Sequence, residues 1–174
     1  MDLTRYQLVG PQADGFSRDF SPVLANVDLS NRQQLRTGLN GHKTTSAIYF
    51  WVLEYEGRTY KVYIGKATSL AVRASNYIAK FQPRAPDDYK MRIFQEFIRE
   101  ECPGCRLSLY AKECAPEKGK RAQAERDAIS YFAPLMVQNV KKATEADYDA
   151  IKAAYETYYR SAIRSAIASP LGSE

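Results

Sequence analysis

The sequence predicts an α+β protein: a small three-stranded antiparallel sheet flanked by helices, with an N-terminal extension before it and a long helix after it. Three observations predict this class. Ala47 to Tyr55 is nearly continuously apolar and rich in β-branched and aromatic residues, the pattern of a central strand buried on both faces. Glu56-Gly57-Arg58 then reads as a turn, and Thr59 to Ile64 as the returning strand. Arg106 to Lys112 alternates, with Leu107, Leu109 and Ala111 to one side and Ser108, Tyr110 and Lys112 to the other, which makes it the third strand.

The other elements follow in order. Residues 1–45 form the extension. Gly10, Pro11, Gly15 and Pro22 punctuate its first half, which reads as loop and irregular pieces. Arg32 to Leu39 reads as a short helix, capped by Asp28 or Ser30 and ended by Gly41. Gly65 ends the second strand, where the backbone must turn sharply or come close to something. Thr68 or Ser69 starts a helix through Leu70, Val72, Arg73 and Tyr77. Pro83 and Pro86 break the chain, and Asp87 or Asp88 caps an inserted helix near 88–101. Its Met91, Phe94, Phe97 and Ile98 recur at helical spacing. Cys102-Pro103-Gly104 stops it. Pro116 is expected in the first turn of a helix over Glu117 to Phe132, and Pro134 ends it. Residues 46–140 are thus the core, and residues 141–174 hold a last helix, Ala143 to Ala168, capped by Thr144.

Composition bounds the partners. A chain of 174 residues suits one domain with extensions. The formal charge of +5 allows an anionic partner without requiring one. The 13 tyrosines beside arginines suit a nucleic-acid surface, although most are expected at the edges of the core. No stretch approaches a signal peptide or a membrane span, so a soluble cytoplasmic protein with no membrane partner is expected. Cys102, Cys105 and Cys114 are odd in number, which argues against a disulfide framework; a zinc site would need a fourth ligand, with His42 the one histidine, and the three are read as reduced structural cysteines.

The chemistry concentrates at the junction of hairpin and helix. The turn near Gly57 makes Tyr49 and Tyr63 candidate cross-strand neighbours. Lys66 follows just past the strand, and Arg73 and Tyr77, four apart, share a helix face. Cations among phenols with no acidic pair nearby suggest an anion held by its oxygens, phosphate above all. Hydrolysing a phosphodiester also calls for an activated water and, usually, a metal. Glu125 is the candidate carboxylate, because Ile129 and Phe132 on its helix are apolar; by spacing alone a surface pairing with Arg121 or Arg126 is the simpler reading. Arg32, Arg36, His42 and Lys43, with Asn and Gln between them, suit phosphates and base edges, and equally a solvated helix.

Residues 45 to 140 resemble the GIY-YIG nuclease superfamily. The first motif stands here as Ala47-Ile48-Tyr49 and the second as Tyr63-Ile64-Gly65. They are followed by Lys66, Arg73 and Tyr77, and by a run of Glu125, Ile129, Phe132, Pro134, Leu135 and Asn139. The segment after the second motif is most similar to the N-terminal nuclease domain of the bacterial excision-repair nuclease. Alanine replaces the glycine of the first motif, a small change, and the interval from Arg73 to Glu125 is longer than in compact members.

The resemblance implies an endonuclease that cuts DNA by in-line attack of water, leaving 5′-phosphate and 3′-hydroxyl ends. It implies a single divalent cation, Mg2+ or Mn2+, on Glu125, with Tyr63 as general base and Arg73 on the phosphate. Tyr49 and Lys66 would orient the nucleophile, and Tyr77 would position phosphate or water. Asn139 would be a structural hydrogen-bonder near substrate. Lys90, Arg92 and Arg99 on the inserted helix are further candidate contacts. With little mass outside the core, the chain is similar in size to restriction-type and phage members, which imply site specificity and a homodimer or higher homo-oligomer. The alternatives are a structure- or single-strand-selective repair nuclease, and a non-catalytic nucleic-acid-binding module that keeps the fold.

Overall fold

The computed structural model of the protein describes residues 6–29, 31–78, 95–96, 98–100 and 102–135, with the side chains of Arg32, Asn76, Tyr77 and Ile78 outside that set. Its centre is one antiparallel sheet in the order β1-β4-β2-β3, built from β1 (Ser21–Leu24), β2 (Ala47–Tyr55), β3 (Arg58–Ala67) and β4 (Arg106–Glu113). The helices are α1 (Gly10–Asp19), α2 (Arg32–Leu39), α3 (Leu70–Ile78) and α4 (Lys118–Phe132), and a 3-10 turn at Asn40–His42 follows α2. The fold is α+β, and the sheet has four strands rather than three.

The fourth strand and α1 both come from the N-terminal extension, where loop was expected. Pro11 does not break the chain there; it stands in the first turn of α1, where its missing N–H costs nothing. Pro22 is tolerated because β1 is an edge strand. The two elements contribute apolar anchors: Phe16 and Phe20 pack with Phe50 and Phe132 on one face of the sheet, and Leu24 joins the other.

β2 is the buried central strand the sequence predicts. From Ala47 to Leu53 every residue is buried, because β3 and β4 pair on its two sides and helices cover both faces. Alternation sorts its side chains. Ala47, Tyr49, Trp51 and Leu53 join Leu107, Leu109 and Ala111 of β4 and Leu70, Ala71 and Ala74 of α3. Ile48, Phe50 and Val52 join Ile64, Phe16 and Phe132 on the face covered by α1 and α4. The hairpin turns through Glu56 and Gly57, both at positive φ (49° and 74°), the geometry a two-residue turn needs to match strand twist.

Several boundaries differ from expectation for local reasons. β3 continues through Gly65 to Ala67. Its register pairs Tyr49 with Gly65 and Trp51 with Tyr63, so Tyr49 and Tyr63 are diagonal rather than direct neighbours, with ring centroids 6.0 Å apart. The cap of α2 is Asn31, whose side chain accepts from the Gln34 N–H at 3.1 Å. Glu117 takes the N-cap position of α4, leaving Pro116 one residue outside the helix. In the inserted helix, residues 95–96 and 98–100 are helical. Its Gln95 is buried and bridges a loop, accepting from Leu29 N at 2.8 Å and donating to Val27 O at 2.7 Å. The expected last helix, Ala143 to Ala168, lies outside the described residues. No helix among the described residues is long and apolar enough to cross a membrane.

Candidate functional site

The site is built on β3 and the helix that follows it. Ser69 caps α3, its Oγ accepting from Val72 N at 3.3 Å while donating to the Lys43 carbonyl at 2.6 Å. The Leu70 N–H also donates to Thr45 O, and Leu70 is fully buried. Two tethers and one apolar anchor therefore fix the first turn of α3 against the segment that leads into β2. One turn on, Arg73 is half-buried and its Nε donates to the Tyr49 hydroxyl at 3.2 Å.

Tyr49 is 1% exposed, so its phenol supports Arg73 from within the core. The space it fills is borrowed from Gly65. A Cβ on residue 65 would lie 2.5 Å from Tyr49 Cζ and 3.0 Å from Cε2, closer than real side chains stand. Tyr63, half-buried, is on the same face two residues before Gly65. The structure thus brings Tyr49, Tyr63, Gly65 and Arg73 into one cluster.

Lys66 and Glu125 form a second pair. Glu125 projects from α4, and its carboxylate accepts from Lys66 Nζ in a direct ion pair, with side-chain exposures of 39% for Lys66 and 18% for Glu125. The surface pairing with Arg121 or Arg126 does not occur. Arg121 is itself buried and donates to Pro116 O and Ser46 Oγ, while Arg126 donates to Gln123. Lys66 pairs across the strands with Ile48, so it belongs to the face of α1 and α4, opposite the Arg73 cluster. A single pocket holding Lys66 beside Arg73 and Tyr63 is therefore not what the alternation builds. The two groups instead flank the Gly65–Lys66 peptide on the two faces of β3. Because β3 is an edge strand, those faces meet along its outer side. Among the described residues, 7–8 and 135 pair with that outer edge at Thr59 to Lys61, nearer the hairpin.

A divalent cation can be tested against this donor set. Among the described residues no group of three or more His, Cys, Asp or Glu converges. Glu125 is the carboxylate that could hold such an ion, completed by water and phosphate oxygens as Mg2+ commonly is, in exchange for its ion pair with Lys66.

The remaining candidates divide. Lys43 is exposed and His42 half-buried, both beside the start of α3, and Arg36 is exposed on α2, which packs on α3. Arg99 is committed elsewhere, to Asp28 at 2.8 Å. The Tyr77 and Arg32 side chains, Lys90, Arg92 and Asn139 lie outside the described residues. One residue escaped the sequence reading. Glu113 extends the two-residue alternation of Leu107, Leu109 and Ala111 by one step. It faces Ala47 and so places an exposed carboxylate on the Tyr49 face, at the same end of the sheet. Cys102, Cys105 and Cys114 are not joined in disulfides, and burial pushes the Cys105 thiol up from its ordinary pKa. Compared with protein-family models, with curated proteins and with solved structures, the chain matches none.

Proposed function

We propose that this protein is a Mg2+- or Mn2+-dependent DNA endonuclease of the GIY-YIG type, site-specific and cytoplasmic, acting as a homodimer or higher homo-oligomer. The observation that carries the reading is the Arg73–Tyr49–Gly65 arrangement: an arginine held by a buried phenol, over a glycine that only a backbone without Cβ permits. A guanidinium oriented in this way is suited to a tetrahedral oxyanion, because its position is set before substrate arrives. Its neighbours fall at the motif positions that suggested the family.

In this reading the scissile phosphate lies across the outer side of β3 at Gly65–Lys66, within reach of both faces. Arg73 takes a non-bridging oxygen and neutralises the charge that grows in the transition state. Tyr63, as its phenolate, accepts a proton from the attacking water; the new P–O bond forms in line as the P–O3′ bond breaks, and the departing 3′ oxygen takes a proton from solvent, leaving 5′-phosphate and 3′-hydroxyl ends. Tyr49 positions Arg73. Glu125, ion-paired with Lys66, would exchange that lysine for the divalent cation, which when bound supplies Lewis acidity at the phosphate and leaving oxygen.

The experiment is to incubate purified protein with plasmid, phage and single-stranded DNA in Mg2+ and in Mn2+. Cleavage by the wild type, lost in Arg73→Ala and in Glu125→Ala, is the expected result. Intact DNA throughout contradicts the reading. Tight binding without cleavage, indifferent to Glu125→Ala, would instead indicate a binding module.

A further inference from the structure

The segment from Leu29 to Leu53 contains no aspartate or glutamate, yet it carries Arg32, Arg36, His42 and Lys43. Its helix, α2, divides its residues cleanly. Leu35 and Leu39 are buried in the core. Gln34 turns inward, accepting from Asp28 N at 3.0 Å and donating to Asn26 O at 3.1 Å. That leaves Gln33, Arg36, Thr37 and Asn40 exposed, at spacings of three, four and seven residues, which is one face of a helix. Lys43, also exposed, follows the 3-10 turn after α2, and its carbonyl is tied to the cap of α3. The face therefore stands on the helix that presents Arg73, because α2 packs directly on α3.

We infer that this face of α2, led by Gln33 and Arg36 with Lys43 at its margin, reads the sequence of duplex DNA beside the cleavage centre. The inference rests on the nuclease reading and names the specificity surface of that same site. Its chemistry is that of base readout. Arginine donates in bidentate fashion to guanine and glutamine pairs with adenine, both in the major groove, which is wide enough for a helix, whereas lysine meets phosphate as a point charge. A cationic and amide surface on a segment without acidic residues is complementary to a duplex.

The test uses wild type, Gln33→Ala, Arg36→Ala and Arg36→Lys on a randomised duplex library, in two arms. One arm sequences the ends left by cleavage in Mg2+. The other sequences duplexes retained in a gel shift without divalent cation. Melting temperatures check that these exposed substitutions leave the fold intact. The wild type should enrich a defined short sequence. In Arg36→Lys, which keeps the charge and loses the fork, preference over a one-base mismatch should fall on the order of ten-fold. Enrichment unchanged in all variants overturns the inference, as does no enrichment by the wild type or a preference for single strands or RNA. The arms separate the two claims. Arg36-dependent enrichment without cleavage keeps the surface and removes the nuclease, and cleavage whose ends ignore Gln33 and Arg36 does the reverse.

Discussion

Tyr49 and Gly65 face each other across β2 and β3, and the tyrosine ring occupies the volume that a side chain at residue 65 would need. Gly65→Ala must therefore displace a buried ring or shift an edge strand. Overpacking of this kind costs about 1–3 kcal/mol. Denaturant unfolding should show that loss, and Tyr49→Ala should cancel much of it in the double variant, since the two residues compete for one space.

Tyr49→Phe leaves the ring and removes the acceptor of the Arg73 Nε. The hydrogen bond is worth roughly 0.5–1.5 kcal/mol, so the melting point should move little. Cleavage should fall further than stability, and in kcat more than in KM, because the bond orients a group that acts on the transition state. Arg73→Ala should lower cleavage by about 10²-fold or more, the scale of removing one oxyanion donor.

The Lys66–Glu125 ion pair places an ammonium where a divalent cation would bind. Lys66→Met should then tighten Mn2+ binding, read by electron paramagnetic resonance or calorimetry, by roughly two- to five-fold, the scale of a partly exposed pair. Glu125→Gln should abolish it. Equal or weaker binding by Lys66→Met would show that the lysine supports the cation instead of competing with it.

Gln95 links the inserted helix to the loop between β1 and α2 through two buried backbone groups, Leu29 N and Val27 O. Gln95→Leu keeps the bulk and leaves both groups unpaired. The expected loss is roughly 2 kcal/mol or more in chemical unfolding, far beyond that of an exposed substitution.

The Asp19 carboxyl is held at about 2 by its hydrogen bond from Arg18 and then by that from Lys112 at the end of β4. A depressed folded pKa stabilises the protein above the unfolded value of 3.8, and the contribution is lost as pH falls from about 4 through about 2. Because the pair is exposed the effect is small and salt-sensitive. Asp19→Asn should flatten that part of the acid unfolding curve.

The strands β2, β3 and β4 were legible because their signals are local: an apolar run, a glycine turn and a two-residue alternation. Helix α2 was legible to its ends, although its cap was not: Asp28 or Ser30 was expected, and Asn31, directly before Arg32, supplies it. α1 and β1 were hidden because Gly10, Pro11 and Pro22 are punctuation in isolation and acceptable only at a helix start or a sheet edge. Tyr49, Tyr63 and Arg73 lie on one face, with Tyr49 and Tyr63 diagonal rather than directly paired as expected. Their sidedness relative to Lys66 and Glu125 did not, because a strand sends Gly65 and Lys66 to opposite faces and the extension of β3 past Gly65 decides which residue points where. The Glu125–Lys66 pair, 59 residues apart in sequence, could be found only after α4 was laid on β3.

The most direct test of the central claim is sequencing of both ends of DNA cut by the purified protein in Mg2+, with Arg73→Ala and Glu125→Ala run alongside. Discrete ends carrying 5′-phosphate and 3′-hydroxyl are expected from the wild type, with their yield lowered by about 10²-fold or more in either variant. Uncut DNA with the wild type, or ends at wild-type yield from either variant, would contradict the claim.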